Sequence, residues 1–148
     1  MVTVMRKPCL LDDTGRVSER VSASVGPSIL ADMSKPLGPY SPVVRAGDFV
    51  VVSGQGGMAD GKVVEGGVGA ETTQTMKNVA AQLTSVGASL DDVVKTTCFL
   101  TDMENFATFN EAYAAALGNH RPARSTVAVA GLPAGFLVEV EAWAYVPQ

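Results

Sequence analysis

Hydrophobic and polar positions along the chain follow two periods, one typical of strands and the other of helices. Residues 48–55 (DFVVVSGQ) form a short β-branched run that begins after Gly47, which predicts a strand. Asp60-Gly61 follows, and this dipeptide is a strong signal for a hairpin turn with a short return strand over residues 62–64. This part of the chain is therefore predicted to be β-structure.

Two later stretches place apolar residues at the spacing of one helical face. The first, residues 70–86, is followed by the stop signal Gly87, and its apolar positions are Met76, Val79, Ala80, Leu83 and Val86. The second follows Thr101-x-x-Glu104, which matches a capping box, and its apolar positions are Phe106, Phe109, Tyr113, Ala116 and Leu117. The pattern predicts two helices.

Three further runs predict strands over residues 91–101, 124–130 and 136–146. The elements then follow the order strand, short strand, helix, strand, helix, strand, strand. This order predicts a mixed β-sheet with both helices packed on one face, which is an α+β fold.

The last predicted strand has two different faces. Its even positions are apolar and small enough to pack against helices: Val138, Val140, Ala142, Ala144 and Val146. Its odd positions combine carboxylates with large apolar side chains: Leu137, Glu139, Glu141, Trp143 and Tyr145. A monomer rarely leaves so much apolar area in water. We therefore expect another copy of the chain to cover part of this second face.

Length and composition favour one domain. The chain has 148 residues, 47% of them hydrophobic, which is enough for a single core. Residues 1–34 show neither period and are broken by Gly26-Pro27. We predict an N-terminal extension over residues 1–34 that is flexible, and a compact domain over residues 35–148. Met33 would be a natural start for the compact part.

Charge and cysteine content argue against several classes of partner. The formal net charge is −4, so no broad basic surface for nucleic acid or an anionic membrane is expected. Cys9 and Cys98 are far apart and His120 is the one histidine, which argues against a disulfide framework or a metal site and fits a reducing cytoplasm. No run approaches the roughly 18 apolar residues of a membrane span.

One glycine-rich motif has a weak functional interpretation. Residues 54–59 (GQGGMA) match the dinucleotide fingerprint G-x-G-x-x-G/A after a strand. That mechanism requires a helix to begin there, whereas Asp60-Gly61 turns the chain. A flexible hairpin is the preferred interpretation.

Two further features have ordinary structural explanations. Glu139 and Glu141 would share one face of a strand roughly 6–7 Å apart, where acid–base work is possible but a polar interface face is the commoner reason. Cys98 lies within an apolar strand, where a buried, inert thiol is expected.

Arg124 gives a more specific signal. Pro122 favours extended geometry before the predicted strand, so the guanidinium would project from the rigid end of that strand. An arginine there could bind a carboxylate with two parallel hydrogen bonds. A surface arginine without function is the alternative.

Ordered blocks of sequence add to this interpretation, and together they resemble the Rid family (RidA/YjgF/UK114). The resemblance covers about residues 35–147. The matching blocks are LGPY (37–40), VVSGQ (51–55), VKTT (94–97), D-x-x-x-FA (102–107), RPARS (121–125) and VEVEA (138–142).

This resemblance implies a chorismate-mutase-like fold and a homotrimer with a site in each cleft between subunits. It also implies cofactor-free hydrolysis of reactive 2-imino and enamine acids, such as 2-aminoacrylate and 2-iminobutanoate, to 2-keto acids and ammonia. The family's carboxylate-binding arginine corresponds to Arg124, and its water-positioning glutamate to Glu139. The other implied substrate-binding residues are Tyr40, Ser53, Gly54, Asn110 and Thr126.

The chain departs from the family pattern at three places near the implied pocket. Thr126 stands where RidA has cysteine, Arg121 stands where RidA has phenylalanine, and residues 56–58 (GGM) replace bulkier apolar and proline residues. These differences leave open a specialised member of the family that acts on a larger or more anionic imine or on a different pathway intermediate. Two other functions also stay open: a non-catalytic trimer that binds small carboxylates, and an endoribonuclease, which the acidic charge disfavours.

Overall fold

The computed structural model describes residues 36–147, so the predicted N-terminal extension over residues 1–34 lies outside the described residues. The strands are β1 Val43–Ala46, β2 Phe49–Gly56, β3 Met58–Ala59, β4 Lys62–Val63, β5 Val93–Leu100, β6 Ala123–Ala128 and β7 Val138–Tyr145. The helices are α1 Gly67–Ser85 and α2 Phe106–Leu117. The order of these elements follows the predicted one, with β1 and β3 added.

Five strands form one mixed sheet in the order β1-β2-β7-β5-β6. β5 and β6 are parallel, and the other neighbours are antiparallel. β3 and β4 pair separately as the predicted hairpin. Its turn places Asp60 at φ 51° and Gly61 at φ 73°, a left-handed conformation that these residue types tolerate.

Both helices cover one face of the sheet, as predicted. α1 packs on β2 and β7, and α2 packs along α1. The core between these layers contains fully buried side chains from both: Val50, Val52, Met76, Val79, Leu83, Leu100, Phe109, Val138 and Val140. The predicted α+β class and the two-layer arrangement are confirmed.

The structure corrects three local predictions. α1 begins at Gly67 rather than at residue 70. The predicted capping box is wrong, because Asp102 and not Thr101 caps the turn before α2: its side chain accepts a hydrogen bond from the Glu104 amide at 2.9 Å. β7 begins at Val138 rather than at residue 136 because a 3₁₀ turn over Pro133–Gly135 precedes it.

The two faces of β7 differ in burial, as its pattern predicts: one is covered by the helices and the other is open. Its even positions are buried against the helices, whereas Glu139 and Glu141 are half-buried on the other side. Further along the open face, Trp143 and Tyr145 are 45% and 44% exposed and both contact the ring of Phe49 edge to face. We call this side of the sheet the open face.

Glu71 joins α1 to the start of β7. Its side chain is 2% exposed, and its Oε1 atom accepts hydrogen bonds from the amides of Leu137 at 2.6 Å and Val138 at 3.2 Å. A Cβ atom on Gly57 would lie 2.2 Å from Glu71 Cγ, so only glycine fits where the chain passes this side chain. Glu71 therefore fixes the strand on which Glu139 lies.

We predict that Glu71→Ala destabilises the protein by about 2–4 kcal/mol, because two amides lose a charged acceptor and one of them is buried. Glu71→Gln keeps an acceptor oxygen and should cost less than half of that. Urea unfolding at one fixed protein concentration measures both variants. Equal losses for alanine and glutamine would contradict a role that depends on the acceptor.

Candidate functional site

Arg124 lies at the start of β6 with its side chain on the covered side of the sheet. It pairs in register with Thr96 of β5, whose side chain is buried under α2. The Arg124 Cζ atom lies 4.9 Å from the ring centroid of Tyr113 and 5.5 Å from that of Phe109, with Phe106 slightly farther at 5.7 Å. Such cation–π contacts hold a guanidinium in place without neutralising its charge.

A pocket of about 340 Å³ surrounds the Arg124 guanidinium, and its walls are Asn110, Tyr113, Ala114, Arg121, Pro122 and Arg124. Within residues 36–147, Arg124 makes no hydrogen bond or ion pair. The buried Oδ1 atom of Asn110 and the buried Oγ1 atom of Thr126 also have no hydrogen-bond partner in the described part of the chain. Buried polar atoms normally have partners, and of these two atoms the Asn110 oxygen belongs to a residue in the pocket wall, where a ligand could supply the missing donor.

Tyr113, in the wall of this pocket, is held from behind by a polar contact. The Tyr113 hydroxyl shares a 2.6 Å hydrogen bond with Thr96 Oγ1. Burial raises the pKa of Tyr113, and the bond to Thr96 and the charge of Arg124 oppose that rise. Burial also raises the pKa of the neighbouring Cys98 thiol to about 11, so this thiol is protonated at neutral pH, in accord with the prediction of an inert cysteine.

Glu139 lies in a second pocket, at an irregularity between β2 and β7. The register of these strands shifts between Val52 and Gln55, which leaves Ser53 and Gly54 as a bulge. A Cβ atom on Gly54 would lie 2.2 Å from Glu139 Oε1, so the absence of a side chain makes room for the carboxylate. Ser53 Oγ donates a 2.7 Å hydrogen bond to the Ser41 carbonyl and so fixes the segment next to Tyr40.

This second pocket has a volume of about 380 Å³ and contains Tyr40, Ser53, Gly54 and Glu139 in its wall. The rest of the wall combines apolar side chains, among them Phe136, with the amides of Gln55, Asn78 and Gln82. Burial raises the pKa of Glu139, and the negative charge of Glu141 raises it further. Glu139 therefore changes protonation closer to neutral pH than an ordinary glutamate does.

The two pockets do not share a site within one chain. Glu139 pairs with Phe99 of β5, and Phe99 pairs with Val127 of β6, so Glu139 and β6 are two strand spacings apart, roughly 10 Å. Arg124 also lies three residues before Val127, and its side chain leaves the sheet on the opposite face. Within one chain, the predicted site residues fall into two half-sites.

We define these half-sites by their residues. The arginine half-site comprises Arg124, Asn110 and Thr126 on the covered side of the sheet. The glutamate half-site comprises Tyr40, Ser53, Gly54 and Glu139 around the bulge. Thr126 shares the face of Arg124, since it pairs with the buried Cys98, although it does not line the pocket itself.

Other candidate chemistry is not supported. The glycine motif at residues 54–59 leads into the β3–β4 hairpin and not into a helix, so the dinucleotide interpretation fails. His120 Nε2 bonds to the Val93 carbonyl at 2.7 Å, which is a structural role. In the described range, no three histidine, cysteine or acidic residues are grouped to hold a metal, and no helix is long and apolar enough to cross a membrane.

Sequence reasoning missed the residues that support the site from α1 and α2. Helical spacing assigned Tyr113 and Phe109 to the core, and gave no sign that their rings face Arg124. Asn78 was also missed: its Nδ2 atom donates to the carbonyls of Gly56 and Met58 at 2.9 Å each and so holds the loop at the rim of the glutamate half-site.

Comparison with known proteins identifies the family of this chain. The family model described as Endoribonuclease L-PSP matches residues 31–146. A RutC family protein of Pyrococcus horikoshii is 43% identical over 113 residues, which cover 75% of this chain and 90% of the relative. The mouse 2-iminobutanoate/2-iminopropanoate deaminase is 42% identical over 108 residues, which cover 72% of this chain and 80% of the relative.

The fold is also that of solved relatives. The crystal structure of RidA from the Antarctic bacterium Psychrobacter superposes with a TM-score of 0.74 at 38% identity, covering 78% of this chain and 94% of that one. The resemblance to the Rid proteins is thereby confirmed, and the chain belongs to the Endoribonuclease L-PSP family.

Proposed function

We propose that this protein is a cofactor-free deaminase that hydrolyses 2-imino and enamine acids, of the 2-aminoacrylate and 2-iminobutanoate type, to 2-keto acids and ammonia. The observation that carries the proposal is the charged, unpaired guanidinium of Arg124 in a pocket with the unsatisfied Asn110 oxygen. Relatives at 42% and 41% identity bear the name of this activity. We further predict a cytoplasmic location.

The arginine half-site fits the ionic groups of a 2-imino acid. The fork of Arg124 can donate two hydrogen bonds to the substrate carboxylate. Asn110 Oδ1 is an acceptor without a donor among the described residues, and the N–H of a protonated imine supplies one. These two contacts would fix the plane of the C=N bond relative to the pocket.

A second chain completes the site in this proposal. The open face exposes aromatic side chains, among them Phe49, Trp143 and Tyr145, so a neighbouring copy would remove apolar area from water. We propose a homotrimer in which the glutamate half-site of one subunit faces the arginine half-site of the next. Cyclic symmetry then forms three identical sites.

The chemistry needs one water and no cofactor. Glu139 accepts a hydrogen bond from water, whose oxygen attacks the imine carbon, and the new C–O bond gives a carbinolamine. The proton that Glu139 took from water passes to the nitrogen, and the C–N bond breaks with its electron pair leaving on ammonia. The carbinolamine hydroxyl loses its proton to the departing ammonia as the carbonyl forms, so ammonium is released. Orientation of the water and the electrophile supplies most of the acceleration, because a protonated imine is already reactive.

We predict that Arg124→Ala lowers kcat/KM for 2-iminobutanoate by about a hundredfold or more, because a paired charge–charge contact is lost. Keto-acid release from imine generated in situ measures the enzyme-dependent rate above spontaneous hydrolysis. Lys77→Ala removes an equal charge from an exposed position on α1 and should leave the rate unchanged. A folded Arg124→Ala protein with undiminished activity would contradict the proposed anchor.

Glu139→Gln should abolish turnover while a 2-keto acid still binds, because the amide cannot take a proton from water but Arg124 remains. Binding of 2-oxobutanoate by calorimetry, next to the rate assay, separates the two effects. The same rate assay tests the non-catalytic alternative, because that alternative predicts no turnover by the wild type. Parallel loss of binding and turnover would contradict the assigned division of roles.

Glu141→Gln should shift the acidic limb of the pH–rate profile to lower pH. The active form of Glu139 is the carboxylate, so activity falls as the pH drops through its pKa. Burial raises the pKa of Glu139, and the charge of Glu141 raises it further. Glu141→Gln removes the effect of the charge and leaves the effect of burial in place. The pH dependence of kcat/KM measures the shift. An acidic limb whose midpoint stays at the same pH or moves to higher pH would contradict the assignment.

Endoribonuclease activity is the second candidate, because the matching family model bears that description. The formal charge of −4 and the neutral or acidic side chains of the glutamate half-site disfavour a polyanionic substrate. We therefore place it second.

A further inference from the structure

The pocket around Arg124 contains a second guanidinium that the proposed reaction does not use. Arg121 lines the same pocket, and its Nη1 atom donates hydrogen bonds to the carbonyls of Gly118 at 2.6 Å and His120 at 2.7 Å. These carbonyls end α2 and its connection to β6, so the side chain is attached to a rigid element. Its Nη2 and Nε groups have no partner among residues 36–147.

Among the described residues, no acidic side chain lines this pocket. The other wall residues, Asn110, Tyr113, Ala114 and Pro122, are neutral. Both guanidinium charges act on Tyr113. Burial raises the pKa of this residue, and the charges of Arg124 and Arg121 oppose that rise. A chain of net charge −4 thus places two cations around one space of about 340 Å³.

Arg121 and Arg124 are both exposed side chains that line one pocket, so they make its electrostatic potential positive, and anionic groups between them would be attracted to both. A single carboxylate uses one guanidinium fork and leaves the other unpaired. A ligand with two carboxylates satisfies both, each with a geometry for which arginine is suited and lysine is not.

We infer that the preferred substrates are 2-imino acids with a second carboxylate on the side chain. Arg124 binds the carboxylate next to the imine carbon, and Arg121 binds the distal one. The inference rests on the deaminase function proposed above and specifies its substrate class. Atoms balance as before: water adds to the imine carbon, the C–N bond breaks, and a 2-keto dicarboxylic acid and ammonium leave.

The test compares two imines made in situ by amino-acid oxidases, 2-iminoglutarate and 2-iminobutanoate, with the full-length chain. We expect the wild type to have the higher kcat/KM for 2-iminoglutarate. Arg121→Met should lower the ratio of kcat/KM for 2-iminoglutarate to that for 2-iminobutanoate at least tenfold, mainly through KM. Arg121→Lys, which keeps the charge but not the fork, should give an intermediate ratio.

The outcomes separate the two proposals. If Arg121 only stabilises the end of α2, Arg121→Met changes both rates alike, the ratio stays constant and the inference is overturned. A wild type that prefers 2-iminobutanoate overturns it as well, while the deaminase function stands.

If neither imine is hydrolysed, the deaminase proposal fails, and calorimetry with 2-oxoglutarate and 2-oxobutanoate then decides on the pocket. Tighter binding of 2-oxoglutarate that is lost in Arg121→Met supports a pocket for dicarboxylates. Equal binding of the two acids overturns it.

Discussion

The alternation of side chains along a strand is the constraint on which the rest of this structure depends. Each strand sends successive residues to opposite faces, so Arg124 and Glu139 leave the sheet on different sides although both lie in one sheet. No rotamer change brings them together across a packed layer. If both groups act on one substrate, as we propose, the chemistry needs a second copy of the chain.

Each half-site is shaped by the elements on its own side of the sheet. On the covered side, aromatic rings of α2 hold the Arg124 guanidinium without pairing its charge, so the donors stay available for a ligand. On the other side of the sheet, the bulge at Ser53 and Gly54 makes room for the Glu139 carboxylate. Burial of that carboxylate raises its pKa, which suits proton exchange with water.

Much of the fold could be predicted from the sequence because its hydrophobic positions follow clear strand and helix periods. The faces of β7 and of both helices follow from residue spacing alone, since burial of apolar positions decides them. β1 was missed because it is only four residues long, VVRA, and two of its residues are exposed at the edge of the sheet, so no clear alternation develops. The capping box failed because Thr101 and Asp102 are both capable caps, and the geometry of the turn selects Asp102.

The candidate site was only partly predictable. Arg124 was predicted because it lies at the start of a strand, just after Pro122. The resemblance to the Rid proteins supplied the other residues. Neither could show that Tyr113 lies under the guanidinium, because that contact depends on how α2 packs against β6. The division into two half-sites depends on strand register, which becomes known only when the sheet order is known.

The most direct measurement mixes two inactive variants, Arg124→Ala and Glu139→Gln, by unfolding and refolding them together. In a cyclic trimer with sites shared between neighbours, every mixed trimer contains one site with both native residues. Random assembly in equal amounts should therefore restore about a quarter of the wild-type imine hydrolysis. Refolded mixtures that assemble normally yet remain as inactive as the separate variants would contradict a site shared between two chains.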